Sequence, residues 1–397
     1  MRRKFVALAR GLVVSLALAV AVAGAVRPAV AIETAAHYAV LMDAETGAVL
    51  YEKEAHTQMA PASMSKLMTA VMMFEKLKDG TFTLDDKFHV SEKAWRMGGS
   101  KMWTEVGSDI RIGDLLHGII VQSGNDACIV VAEGLAGTEE AFAEAMTKKA
   151  REIGLEHSTF ANATGWPDPN QLMTAYDLAL IARYIVTNFP DYFPIYSERE
   201  FTWSGIRQPN RNPLLGTYAG ADGMKTGHTD ESGYGLVATA KRQVPLSGSQ
   251  GSVERRLIVV VNGLDSDNGR AAEARKLLDY GFRDFKAYSL FLSGQIIQDH
   301  PITVWNGTRG KLPISVRRDV NVFLTDAERE GMEVKLVHPS PIAAPVAYND
   351  EVGELVIAIP GRKEMHVPVY AAVDVARAGF GMRVVDGLMH TFGAFAN

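Results

Sequence analysis

The chain has 397 residues, of which 47% are hydrophobic and 22% charged, with one cysteine and a formal net charge of −5. These proportions are near globular averages and exclude a disordered or collagen-like chain, while the length suffices for two or three domains with sizeable cores. The lone Cys128 excludes an internal disulfide and a thiolate metal cluster, and the acidic balance speaks against a nucleic-acid binder, which needs a basic face.

The first elements belong to the N-terminal end. Residues 1–4 read Met-Arg-Arg-Lys, an apolar run extends from Leu12 to Val26, and Ala29-Val30-Ala31 is a small-x-small site. That order predicts a secretory signal peptide over residues 1–31. The apolar run is short of the ~20 residues an uncleaved anchor helix would need. Cleavage removes five basic residues and no acid, leaving 36 basic against 46 acidic residues and a net charge of −10. The mature protein is expected to be acidic and exported, in the periplasm or at the extracytoplasmic face of the membrane, without dependence on oxidative folding.

Tyr38–Asp43 and Ala48–Tyr51 flank Gly47 and predict a β-hairpin. Ser63 to Lys78 reads as a helix ended by Asp79-Gly80, Asp114 to Gly154 as largely helical, and Thr174 to Asn188 as another helix. Strands are predicted at Gly223–Thr226, Gly235–Ala240 and Arg256–Val261, with Gln243 to Glu254 as an exposed loop, then a helix over about Arg270 to Tyr280. Strands at both ends with helices between them imply a mixed α/β domain, its mixed sheet closed by distant segments, over residues 32–286. After about Phe285 the helices stop. Short alternating runs at Ile302–Trp305, Val320–Leu324, Glu333–Val337 and Glu354–Ile359 predict a β-sandwich over residues 287–372. From Val373 onward, Phe380, Val384, Leu388, Phe392 and Phe395 recur at helical spacing. An amphipathic helix over residues 373–397 is expected, with contact to a membrane surface, although four glycines weaken it and packing on its own domain would give the same pattern.

Three short motifs carry chemistry. In Pro61-Ala-Ser-Met-Ser-Lys66, Ser63 and Lys66 are three residues apart on one helical face, so hydroxyl and amine can meet at a helix N-terminus. The lysine can act as base where burial or a neighbouring cation disfavours its charge. Gln122-Ser123-Gly124-Asn125 follows an apolar stretch and offers a hydroxyl and an amide on a turn, suited to proton relay and amide binding. Lys225-Thr226-Gly227 sits on a strand whose edge can pair with an extended substrate, and Lys225 can hold a carboxylate and help keep Lys66 neutral. Singly, each is what a helix cap, a plain turn or an edge strand would also produce. Together and in this order they resemble the penicillin-recognising serine enzymes.

The resemblance extends to Pro61–Ala70, Asp114–Cys128, Phe160–Trp166, Asp222–Thr229 and the Arg270 to Phe282 stretch, and covers nearly the whole mature chain. These segments are similar to the low-molecular-mass D-alanyl-D-alanine carboxypeptidases, the S11 serine peptidases. That resemblance implies a β-lactamase/transpeptidase-like fold and peptidoglycan stem peptides as substrate, with β-lactams as covalent inhibitors. It implies Ser63 as nucleophile, Lys66 as base, Ser123 as proton relay and Asn125 as a holder of the substrate amide. Lys225 and Thr226, with help from Arg270, would bind the terminal carboxylate. The N–H groups of Ser63 and of His228, which follows Gly227, would form the oxyanion hole. No cofactor or metal is expected, and the ten histidines show no H-E-x-x-H pattern. Cys128 reads as a small buried hydrophobe, and Trp166 to Asn170 as a loop bordering the cleft. That loop has no glutamate in the pattern class A β-lactamases use for deacylation. A DD-endopeptidase of the same family and a non-catalytic wall-binding scaffold are the alternatives.

Overall fold

A computed structural model describes residues 32–339 and 341–381. The expected hairpin is β1 (Tyr38–Asp43) and β2 (Val49–Lys53), turning at Gly47, whose φ of 75° suits a residue without Cβ. The helix expected from Ser63 is α1 (Lys66–Lys78), preceded by a 3-10 turn over Ala62–Ser65. A cluster follows of α2 (Glu92–Arg96), α3 (Ile112–Ile120), α4 (Asn125–Ala136), α5 (Glu139–Glu152) and α6 (Ala175–Asn188). Beside it β3 (Lys87–His89) pairs with β4 (Asp109–Arg111). Ser91, Thr138 and Thr174 cap α2, α5 and α6, each accepting from the N–H three residues on. The hairpin β5 (Glu200–Trp203) and β6 (Ile206–Pro209) leads to β7 (Ala221–Thr229), β8 (Gly233–Pro245), β9 (Ser252–Leu264) and α7 (Asp267–Asp284).

The main sheet has the order β2-β1-β9-β8-β7. It is closed by distant segments as expected, since β1 pairs with β9, but every pair is antiparallel, so the sheet is not mixed. Consecutive hairpins join β7, β8 and β9, and a hairpin can only be antiparallel. Side chains alternate across the sheet. Val40, Met42, Ile258 and Val260 enter the core of the helical cluster. Leu41 and Leu257 lie on the other face, where they meet α7 closely enough that a Cβ at Gly281 would touch both. The segment Gln243 to Glu254, expected as a loop, is mostly strand: Gln243 pairs with Glu254 and Val244 with Val253, leaving only residues 246–251 as the turn. Its Gly and Ser content belongs to that turn, and the flanking residues keep strand alternation although exposed.

A second hydrophobic core, including Ile302, Leu312, Ile314, Leu324, Ile357 and Val369, is built by strands alone. They are β10 (Lys286–Phe291), β11 (Ile296–Trp305), β12 (Lys311–Ser315), β13 (Val320–Leu324), β14 (Glu333–Val337), β15 (Ile342–Ala343), β16 (Glu351–Ala358) and β17 (Met365–Ala371). A six-stranded sheet of order β14-β16-β17-β12-β11-β15 is joined by the pair β10-β13. Helices do not stop at Phe285: α8 (Asp326–Gly331) is nucleated by a capping box between Thr325 and Glu328, a signal the Thr-x-x-Glu spacing carries. Arg255 of β9 ties the two cores together. Its buried guanidinium pairs with Asp43 at 3.1 Å, donates to the carbonyls of Gly281 and Phe285, and lies over the Phe323 ring of β13.

The terminal helix expected over residues 373–397 does not start at Val373. Val375 pairs with Val346 and Arg377 with Gly307 as extended chain, so these residues complete the β-rich domain, and helix begins only at Phe380. The rest of that segment, from residue 382, and the expected signal peptide over residues 1–31 lie outside the described residues. Among the described residues no helix is long and apolar enough to cross a membrane.

Candidate active site

The serine motif begins with a constrained turn. Ala62 has a φ of 46°, and the next residues form the 3-10 turn. With three residues per turn, positions i and i+3 eclipse one another. Lys66 Nζ accordingly stands 2.7 Å from Ser63 Oγ and donates a second hydrogen bond to the Thr164 carbonyl at 2.6 Å. Lys66 is 1% exposed. Burial pushes its pKa down to about 8, Arg211 pushes the same way, and Cys128 and Asp126 oppose them. A lysine poised there can take a proton from a hydroxyl near neutral pH.

The Thr164 carbonyl is aimed by an Asn-centred turn. Asn162 Oδ1 accepts from the N–H groups of Thr164, Gly165 and Trp166 and from the Thr164 hydroxyl, at 2.8–3.1 Å. Gly165 has a φ of 79°, and a Cβ there would collide with the Ala62 carbonyl oxygen. The serine turn and this loop thus fit together only through a glycine.

The second wall comes from the α3–α4 junction. Ser123 has a φ of 61° and is buried, and its Oγ has no hydrogen-bond partner among the described atoms. Asn125 opens α4 and donates from Nδ2 to the Gly98 carbonyl at 2.8 Å. The adjacent Asp126 carboxylate is fully buried and accepts from the N–H groups of Met102, Trp103 and Thr104, at 2.8–3.0 Å. These bonds lock residues 98–104 against the Ser-Gly-Asn turn.

The third wall is β7, an edge strand of the main sheet. Lys225 and Thr226 are buried, and Lys225 Nζ donates to the Thr226 carbonyl at 3.1 Å. Burial first, then the charges of Lys66 and Arg211, hold Lys225 well below the usual lysine range. A Cβ at Gly227 would stand 2.9 Å from the Pro61 carbonyl oxygen, so the strand passes close to the serine turn. Arg270, on α7, donates to the carbonyls of Gly227 and Gly235 at 3.2 and 3.3 Å and pairs with Asp267. His228 packs its ring 3.9 Å from that of Tyr234.

Between the walls lies a cleft of about 490 Å³. Ser63, Asn125 and His228 line it, as do Trp166 and Pro167 of the loop expected to border it. Lys66, Ser123, Lys225 and Thr226 are buried, and Arg270 braces the strand main chain outside the lining. Two contributors are given no role from sequence. Thr164 holds the lysine, and its signal is the turn-forming Asn-x-Thr-Gly sequence. Arg211 hydrogen-bonds the Ser100 hydroxyl and adds a positive charge that acts on both lysines, and nothing local in sequence marks it. Cys128 is fully buried, and burial pushes its thiol up to about 12, so it packs as a small apolar residue. Among the described residues no group of three or more His, Cys, Asp or Glu is placed to hold a metal ion.

The family model described as D-alanyl-D-alanine carboxypeptidase matches residues 23–248. The chain belongs to the S11 serine peptidase family. A second model, the C-terminal domain of penicillin-binding protein 5, matches residues 285–377. The D-alanyl-D-alanine carboxypeptidase DacF of Bacillus subtilis is 33% identical over 348 residues, 86% of each chain. The solved penicillin-binding protein 5 of Haemophilus influenzae is 32% identical, with a TM-score of 0.74, covering 87% of this chain and 99% of that one. Penicillin-binding protein D2 of Listeria monocytogenes, solved in its ampicillin-bound form, is 28% identical, with a TM-score of 0.56, covering 64% of this chain and 99% of that one. The first two likenesses thus span 86% and 87% of this chain, and the third spans 64% of it.

Proposed function

We propose that this protein is a serine-type D-Ala-D-Ala carboxypeptidase that removes the terminal D-alanine from peptidoglycan stem pentapeptides and is acylated by penicillins. The observation that carries the reading is the 2.7 Å contact between Ser63 Oγ and a buried Lys66 whose pKa is lowered to about 8. Lys66 takes the hydroxyl proton as Ser63 Oγ attacks the carbonyl of the penultimate D-alanine. N–H groups of Ser63 and His228 receive the developing oxyanion, each such donor being worth ~3 kcal/mol in acyl-transfer sites. The C–N bond breaks, and Ser123 passes a proton to the departing D-alanine nitrogen. Asn125 holds the substrate amide. Lys225 and Thr226 hold the terminal carboxylate, and that negative charge favours the protonated form of Lys225. Arg270 fixes the strand that carries them and adds its charge from behind. Water then attacks the acyl-enzyme with Lys66 as base, still oriented by the Thr164 carbonyl.

Incubation with a stem pentapeptide is expected to release D-alanine, and Ser63→Ala to abolish both release and covalent labelling by penicillin. Release by the variant at the normal rate would overturn the mechanism. Faster cleavage of a cross-linked dimer than of the pentapeptide would assign the endopeptidase reading instead. Absence of any label on Ser63 in the native protein would favour a scaffold.

Residues 1–31 serve export and the terminal segment serves surface attachment in this reading, supported by the basic start, the apolar run and the Ala-Val-Ala site, and by the spaced apolar residues after Phe380. A chain ending at residue 381 is expected to lose membrane sedimentation that the full chain shows.

A further inference from the structure

The Trp166 loop of the cleft and the segment on which it packs carry three tryptophans that the mechanism does not use. Trp95, Trp103 and Trp166 are 44%, 54% and 46% exposed, unusual for a side chain with so much apolar surface. Two stand on the segment 95–103, and the third, Trp166, packs on the middle of that segment. The Trp166 ring lies over Gly98 and Gly99, where an added Cβ would stand 3.6 and 3.0 Å from it. Trp95 and Trp103 bracket that diglycine along the chain. Lys101 spans the segment, donating to the Trp95 carbonyl and standing 5.6 Å from the centroid of the Trp103 ring.

Trp103 is held outward. Its φ of 70° is rare for a bulky residue, and its N–H is bonded to the buried carboxylate of Asp126, next to Asn125. A strained backbone that presents a large ring to solvent, fixed by a buried anion beside the site, is a feature that folding alone does not require. Trp166 lines the cleft together with Ser63, and so do Gly99 and Ser100, which lie between Trp95 and Trp103 in the chain.

We propose that these tryptophans form a subsite for the amino-sugar rings of the glycan strand from which the stem peptide hangs. This inference rests on the stem-peptide reading of the cleft. A pyranose chair presents axial C–H bonds on one face, which is weakly positive, so that face stacks on the negative face of an indole. The sugar is the next group along the substrate once the peptide occupies the cleft, and its hydroxyl and amide oxygens can accept from the Lys101 ammonium beside the Trp103 ring.

The test compares a free stem pentapeptide with the same peptide carried on its disaccharide, in the full chain and in Trp103→Ala and Trp103→Phe. The native enzyme is expected to show a kcat/KM about tenfold higher for the disaccharide-linked substrate, through KM. Trp103→Ala should bring that ratio near one, and Trp103→Phe should restore most of it. Labelled penicillin counts intact sites in each variant. In parallel, quenching of tryptophan fluorescence by β-1,4-linked N-acetylglucosamine oligomers, which carry no peptide, should be halved or more in Trp103→Ala. That arm reads the platform even if no D-alanine were released from either substrate, a failure that would count against the peptidase reading alone. A native ratio of one, a ratio that Trp103→Ala leaves unchanged, or quenching that does not depend on Trp103 would each overturn the subsite. So would loss of self-association or of vesicle binding in Trp103→Ala without loss of sugar binding.

Discussion

Lys66 does two jobs from one position, because its two hydrogen-bond partners are of different kinds. In the proposed mechanism Ser63 is the group it deprotonates, whereas the Thr164 carbonyl can only accept and so keeps the amine in place through both halves of the reaction. Removing the amine, as in Lys66→Ala, is expected to slow penicillin acylation by about 10² to 10⁴-fold, the usual range for a general base. The rate should also report the lysine's titration. Its pKa is lowered, so the active neutral form grows as pH rises, and acylation should climb through a limb near pH 8. Arg211 is one of the charges pushing it down, so Arg211→Gln should move that limb upward while Arg211→Lys holds it. Acylation rates across pH 6–10 measure this, and a limb that stays in place would remove Arg211 from the site's electrostatics. Arg211 also marks where one-dimensional reading ends. Ser63, Lys66, Ser123, Asn125 and Lys225 stand in three short motifs, and the i, i+3 spacing of the first encodes the meeting of Ser63 with Lys66. Arg211 reaches the site across chain separation, held by a bond to Ser100 that no local pattern announces.

At the scale of elements, the site is an assembly of turns rather than of helices. Three backbone positions with positive φ, at Ala62, Ser123 and Gly165, set the serine turn, the relay turn and the Asn162 loop. Gly165 is the most constrained, having both the left-handed conformation and the Ala62 carbonyl against it. Gly165→Ala is expected to cost about 1–3 kcal/mol in urea unfolding and to slow acylation, because relief of the clash must displace either the serine turn or the carbonyl that holds Lys66. Normal acylation with lowered stability would separate the two effects and show that the loop yields without moving Lys66. The elements themselves were readable where periodicity was long. The helices around Ser63, Asn125, Asp177 and Arg270 and the strands at Val237 and Val259 follow from it. Short-range signals were harder. The 3-10 turn at Ala62 differs from an α-helical start by one hydrogen-bond step, and the outer arms of β8 and β9 are polar enough to pass for loop. In the terminal segment, backbone pairing of Val375 with Val346 overrides a helical spacing that side chains alone suggest.

At the scale of the molecule, a buried ion pair between β1 and β9 of the main sheet reaches the β-rich domain through the Phe323 ring. Arg255 and Asp43 are each 1% exposed at the side chain, and the guanidinium also serves two carbonyls at the end of α7 and the ring of Phe323. Deleting one member of such a pair strands the other charge, so Arg255→Ala is expected to cost about 3–5 kcal/mol, with a lower midpoint in denaturant for both domains. A loss confined to the β-rich domain would show that the pair does not couple them. The edge strand β7 has a further consequence, for molecules in a crowd. An unpaired sheet margin is a template on which neighbouring chains can zip together. Here the margin that receives the substrate runs beside Pro61 and Ala62, close enough that even one added methyl at Gly227 would meet them. The serine turn therefore packs directly on this strand, so a slender peptide can lie along the open edge beside it, while the edge of another folded sheet, with side chains on both faces, would run into the turn. The selectivity of the cleft and the resistance of the protein to strand-exchanged aggregation therefore come from the same close packing of the serine turn on β7.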